Sequence, residues 1–286
     1  MPDTQDGAEV TSTGPADALP LDQPILGDPE HGEPDELGLF PPSAPGGRTA
    51  PDVFTRFALD YLAQHADRTV TVLQAGCATA GPELDLAALA ADHDVAVSQV
   101  EEDGPATRSA LAGRPELDSA VLGELRTVPI TPRSFDIVQC SMLLDRISNA
   151  DMVLSRLVGA LRPGGLLFLR TADRETAAGF LDRRAPAFLR NFAWREIRPG
   201  EAGPFPAIYE PIASARGIQA FLTRHGLSVA HREFRNGLTD SGGPAGLVAA
   251  RNLVAWLSRG RLATGYDELC YVIRKPEDRF ARVLSS

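Results

Sequence analysis

Chemistry in this chain can start at Thr69 to Gly81, TVTVLQAGCATAG, where a β-branched apolar run gives way to a loop of small residues. Gly76, Ala78, Ala80 and Gly81 carry almost no side-chain bulk, so the backbone there can approach a ligand closely, as a loop cradling a nucleotide-like cofactor must. The next apolar run, Val95 to Val100, ends in Glu101-Glu102-Asp103-Gly104. In a right-handed strand-helix-strand unit an acid at that place sits beside the loop and can accept hydrogen bonds from two ribose hydroxyls. Three residues are candidates for proton transfer. Asp145 leaves the apolar run 135–140, and Tyr209-Glu210 follows a loop rich in Pro and Gly. Each has a plainer reading, Asp145 as an acid at a helix start and Tyr209 and Glu210 as loop packing.

Other chemistries lack their residues. There is no Gly-x-Ser-x-Gly elbow, and no His or Cys spacing that would hold a metal. His31, His65, His93, His225 and His231 read as tail, segment-end or strand residues. Cys77, Cys140 and Cys270 are odd in number and embedded in apolar runs, so they read as reduced, buried and intracellular.

The elements that must position the loop and the acid alternate along the chain. Val53, Phe54, Phe57, Ala58, Tyr61 and Leu62 recur at helical spacing after Thr49-Ala50-Pro51-Asp52, which has capping-box spacing. Val70–Leu73 is a strand, Pro82–Ala91 a helix whose N-terminus faces the loop, and Val95–Val100 a strand. Helix 105–112, strands 120–122 and 135–140, helix 150–161, a turn at Arg162-Pro163-Gly164-Gly165 and strand 166–170 follow. Helix 214–225 closed by Gly226, strand 228–234, helix 246–258 and strand 269–274 complete the chain. Strands separated by helices predict an α/β fold, a parallel sheet with helices on both faces, whose ligands bind outside the carboxyl ends of the strands.

The chain has 286 residues and a net charge of −10, carried almost wholly by its first fifty residues, where ten acids face Arg48 alone. The remainder holds 27 basic and 28 acidic side chains, a balance with no electrostatic footprint for nucleic acid or an anionic membrane. Residues 1–47 also hold nine of the 23 prolines, and an acidic Pro-rich segment of that kind is expected to be disordered. Residues 48–276 form the expected folded domain and 277–286 a C-terminal extension. No apolar stretch reaches the ~18 residues of a membrane span and no leader pattern opens the chain, so a cytoplasmic protein is expected.

Residues 173–212 break the alternation. Pro186 interrupts a helical stretch, and PGEAGPFP at 199–206 is too rigid and irregular for a plain connection. An insertion after a late strand lies where a substrate-facing lid would lie. Its Arg183, Arg184, Arg190, Arg195 and Arg198, with Phe188, Phe192 and Trp194, could recognise an anionic or aromatic substrate, or could be a solvated helix face over a core stripe.

Four stretches, VLQAGCATAG at 72–81, VEEDG at 100–104, SFDIVQCSMLLDRI at 134–147 and LRPGGLLFL at 161–169, resemble in order and spacing those of the class I S-adenosylmethionine-dependent methyltransferases. The resemblance covers residues 51–276. It implies a Rossmann-like seven-stranded sheet in the order 3-2-1-4-5-7-6 with the last strand antiparallel, and S-adenosylmethionine as cofactor. Gly76 then falls at the first loop glycine, followed by Cys77 and Ala78, and Gln74 where the family usually has an acid. Glu101 falls at the ribose acid, with Glu102 packing near the adenine. Glu124 and Leu125 fall at an adenine-binding acid and its neighbour, and Cys140 and Ser141 at the exit of the fourth strand. An amide at 74 removes a charge-assisted contact worth about 1.5–3 kcal/mol. Methyl groups at Ala78 and Ala80 cost about 1–2 kcal/mol wherever left-handed φ is needed.

Two functions follow. One is methylation of an O, N or C atom of a small molecule, with a homodimer or a protein partner possible. The alternative is the same fold with weakened cofactor binding, serving as scaffold, regulator or partner subunit. A nicotinamide-dependent Rossmann enzyme would want Gly-x-Gly-x-x-Gly, where this chain has Gly-x-Ala-x-Ala-Gly.

Overall fold

In the computed structural model, the described residues are 52–77, 84–197, 204–237 and 245–277. The expected capping box at Thr49, the loop residues Ala78 to Gly81, and the tail lie outside them. Helix α1 (Val53–Ala63) leads into β1 (Val70–Ala75), and the alternation runs through α2 (Leu86–Ala90), β2 (Val95–Glu101), α3 (Pro105–Ala112), β3 (Ser119–Leu122), β4 (Phe135–Ser141), α4 (Ala150–Ala160) and β5 (Leu161–Ala172). Two helices, α5 (Ala177–Arg184) and α6 (Ala187–Ile197), precede α7 (Ala215–His225), β6 (Ser228–Arg235), α8 (Ala245–Leu257) and β7 (Glu268–Arg274). One seven-stranded sheet results, ordered β3-β2-β1-β4-β5-β7-β6. β7 is antiparallel to both β5 and β6, while β1 to β5 pair in parallel. The strand order therefore reverses between β1 and β4, and ligands of open α/β sheets bind at such a switch point.

Two apolar layers hold the sheet. On one face Phe54, Ala58 and Leu62 of α1 and Leu86 and Leu89 of α2 pack on Val70, Val72, Val97, Ile137 and Phe168, with the Phe54 and Phe168 rings stacked 5.1 Å apart. On the other, Leu154 and Leu157 of α4 and Phe221 and Leu222 of α7 pack on Leu73, Val138, Leu167 and Tyr271. Strand side chains alternate between faces, so β1, β4 and β5 are apolar on both and read as near-continuous runs.

Three local expectations shift for identifiable reasons. Asp52 caps α1 by accepting from the Phe54 N–H at 3.1 Å. The second helix begins at Leu86, because Asp85 caps it by accepting from the Ala88 N–H. The turn expected at 162–165 is instead the start of β5: Leu161 pairs with Phe135, the register shifts, and Gly164 takes a φ of +82°. Gly165 lies so close to β4 that a Cβ would stand 2.7 Å from the Asp136 carbonyl oxygen. The break at Pro186 between α5 and α6, the Ser214 cap of α7, and Gly226 at a φ of +62° match the sequence reading.

Asp136 ties the opposite end of the sheet together. Its buried carboxylate accepts from Arg68 at 2.7 and 2.8 Å, Arg162 at 2.6 Å, the Thr71 N–H at 2.9 Å and the Tyr61 hydroxyl at 3.3 Å. Burial alone would raise its pKa, but those donors outweigh it and hold the carboxyl below the usual carboxylate range.

Candidate active site

At the end of β1 the chain turns through Gly76, whose φ of +78° is in the left-handed region. A Cβ there would stand 2.7 Å from the Ser141 carbonyl oxygen and 2.8 Å from the Leu143 Cβ, so the first loop residue must be glycine on both counts. Cys77, buried, follows with its thiol 3.6 Å from the Ala75 carbonyl oxygen. Glu101 closes β2 and is also buried, its carboxylate accepting from the Gln99 side-chain amide at 2.7 Å.

Behind these residues lies a polar row. Gln99, Gln74 and Gln139 are register partners across β2, β1 and β4, and all are buried. Gln74 donates to Gln139 at 2.8 Å, and Gln139 donates to the Ser141 hydroxyl at 3.2 Å. Arg114 enters from the loop after α3, donating to Gln74 at 3.0 Å, Gln99 at 2.9 Å and Glu116 at 2.7 Å. Both ends of the Gln74 amide are therefore committed to protein partners. A signal for the row exists in the sequence: each glutamine stands two residues before Gly76, Glu101 or Ser141. Arg114 gives no such signal.

The remaining sequence-derived positions separate. Cys140 points into the α4 and α7 layer, on the other face of the sheet from Ser141. Glu102 is exposed. Glu124 is exposed and ion-paired with Arg126, while Leu125 is buried in the apolar layer. Ala78 lies outside the described residues.

Asp145 and Tyr209 do come together. Asp145 is buried, its carboxylate taking the Thr171 hydroxyl at 3.3 Å with the Arg146 Nε at 3.6 Å, and its carbonyl accepting from the Ile208 and Tyr209 N–H groups at 3.0 Å each. Burial pushes its carboxyl pKa up, with Arg146 opposing. Tyr209 holds a left-handed φ of +49°. Burial pushes its hydroxyl well above the usual tyrosine range, with Asp145 and its hydrogen-bond partner Asp182 adding to the shift. Glu210 stands at the start of α4. Its carboxylate accepts from the Asn149 and Ala150 N–H groups at 2.7 and 2.9 Å, capping α4, whose own N-cap residue Asn149 supplies no side-chain bond.

Beyond Tyr209 opens a cavity of about 520 Å³, lined by α5, α6, α8 and the adjoining ends of β5 and β7. Leu181, Trp194, Leu247 and Ala250 form apolar wall, and Asp182, Arg190 and Arg251 contribute charge. Arg146 stacks on the Phe205 ring at 4.2 Å and Trp194 meets that ring edge-on at 5.6 Å, which links α6 to the exit of β4. Of the five arginines read as possible substrate contacts, Arg190 lines the cavity and pairs with Asp182 at 2.9 Å; Arg198 lies outside the described residues. Arg251 was not among the candidates. Its signal was a lone charge in the apolar helix AGLVAARNLVAWL.

Residues 73–169 match the family model described as a methyltransferase domain. That stretch of the chain is similar to a methyltransferase domain, and it runs from within β1 to within β5. No curated protein matches the sequence. Among solved structures, this chain is 17% identical to an S-adenosylmethionine-dependent methyltransferase from Mesorhizobium loti, with 78% of this chain and 96% of that one covered and a TM-score of 0.46. For a putative S-adenosylmethionine-dependent methyltransferase from Listeria monocytogenes the values are 13%, 77%, 98% and 0.46. For a putative sarcosine dimethylglycine methyltransferase from Galdieria sulphuraria they are 14%, 78%, 86% and 0.45. Likenesses this distant say nothing of substrate. Among the described residues no helix is long and apolar enough to cross a membrane, and no group of three or more side chains could hold a metal ion.

Proposed function

We propose that this chain transfers a methyl group from S-adenosylmethionine to a small molecule held in the cavity beside Tyr209. The observation that carries this reading is Gly76: a left-handed turn with no room for a Cβ, directly after β1 at the switch point and beside the buried carboxylate of Glu101. Glu101 would hold the ribose hydroxyls, and the turn at Gly76 would let the backbone approach the rest of the cofactor. When bound, the cofactor supplies an electrophilic methyl on a sulfonium. The chain's own work is alignment: a positioned acceptor needs little more than the correct approach line. Tyr209 and Asp182 orient the acceptor from the cavity wall, and α5 and α6 act as a lid that excludes water. Asp145 is a positioning residue, because its carbonyl holds the backbone of Ile208 and Tyr209.

A specific observation favours the second reading, a methyltransferase fold retained as scaffold, regulator or partner subunit. The Gln74 amide is engaged by Gln139 and Arg114, so β1 offers no carboxylate to the cationic amino-acid end of the cofactor. Calorimetric titration with S-adenosylmethionine and S-adenosylhomocysteine separates the two. The enzyme reading expects binding that Glu101→Ala weakens by about 10- to 150-fold, the loss of hydrogen bonds to a charged group. No heat up to millimolar ligand leaves the scaffold reading standing.

A further inference from the structure

Arg251 is 6% exposed, yet it lines the cavity. Its Nη1 donates to the Asn236 side-chain oxygen at 2.8 Å, and its Nε has no hydrogen-bond partner. Among the described residues no carboxylate stands within ion-pair distance of it. Of the acids on the same walls, Glu268 pairs with Arg170 at 2.6 Å, Asp182 pairs with Arg190, Asp267 accepts from the Gly237 N–H at 2.6 Å, and Glu196 is exposed. A buried guanidinium with one neutral partner is costly unless an anion completes it. With Nη1 on Asn236, Nη2 and the enclosed Nε are the donors left without a partner, and the edge they form has the shape that pairs with a planar carboxylate side-on. Around it the wall is apolar, through Trp194, Leu181 and Leu247, and the volume of about 520 Å³ lies within the range of small-molecule sites.

We propose that this cavity binds a small apolar carboxylate, its acid group on Arg251 and its hydrocarbon or aromatic body against Trp194, Leu181 and Leu247. That such a molecule is the methyl acceptor rests on the function proposed above; that the cavity takes it does not.

The test uses the full chain carrying Trp256→Phe. Trp256 is 75% exposed, and the chain has two tryptophans, so its removal leaves Trp194 as the fluorescent reporter on the cavity wall. Phenylbutyrate and its neutral amide are titrated as a pair. The expected result is saturable change at Trp194 with the carboxylate bound about 10- to 150-fold more tightly than the amide. In Arg251→Met that preference disappears while amide binding holds within about twofold, and Arg251→Lys, which keeps charge but not the fork, retains part of it. Equal affinities for the pair, no binding of either up to millimolar concentration, or a preference that survives in Arg251→Met overturns the assignment. If Arg251→Met fails to fold by circular dichroism, the acid-to-amide ratio in the chain with Arg251 intact decides alone. S-adenosylhomocysteine is titrated into the same samples. Carboxylate binding without cofactor binding keeps the cavity assignment and removes the methyl-transfer reading, whereas the converse removes the cavity assignment only.

Discussion

Replacing Gly76 by alanine adds one methyl group at the point where β1 turns toward the cofactor loop. The new Cβ meets the Ser141 carbonyl oxygen at 2.7 Å and the Leu143 Cβ at 2.8 Å, neither of which is the end of a flexible side chain. The left-handed φ costs an L-residue about 1–2 kcal/mol, and forcing an extra methyl into packed structure costs about 1–3 kcal/mol. Together they destabilise by about 2–5 kcal/mol, or about 4–20 °C in Tm for a domain of this size. Gly159→Ala is the matched control: the same chemical change, in the last turn of α4, with nothing within 4 Å of the added Cβ. It should stabilise by about 0.5–1 kcal/mol. Urea unfolding followed by circular dichroism reads both. A loss under about 1 kcal/mol for Gly76→Ala, or equal stability of the two variants, refutes the claim that this turn is sterically closed to a side chain.

Glu210→Ala removes both acceptors at the start of α4 and should destabilise by about 1–2 kcal/mol, the range for a lost helix cap, while leaving affinity for S-adenosylhomocysteine unchanged; a change in that affinity without a change in stability would return Glu210 to the site. Asp136→Asn should cost about 2 kcal/mol at pH 7, because Arg68 and Arg162, each more than a third exposed, regain water when the charge is lost. Since the folded-state pKa of Asp136 is depressed, its contribution is complete above the unfolded carboxyl value near ~4 and falls away as pH drops below it. Unfolding measured at pH 7 and pH 3 should therefore show the gap between Asp136→Asn and the natural chain narrowing at the lower pH. A gap that widens on acidification contradicts the sign.

What could be read in advance was whatever depends on local pattern. The β-branched runs, the glycine after the first strand and the acid after the second are short-range signals, and helix alternation between parallel strands leaves few topologies. Strand order and an antiparallel final strand followed from the resemblance and are present in the fold. The chemical identity of the site residues was legible too, but not their employment. Glu210 looked like a pocket residue and caps a helix sixty residues upstream, because only the tertiary fold brings 149–150 beside it.

That a glycine and a carboxylate flank the switch point of an α/β sheet follows from strand ends that local hydrophobic runs define. What surrounds them depends on contacts between distant elements. Register set Gln99, Gln74 and Gln139 in one row, where Arg114 reaches them from a loop no periodicity could locate. The same folding that buried Arg251 beside Asn236 left its Nε without a partner, because which charges find partners depends on distances between elements far apart in the chain.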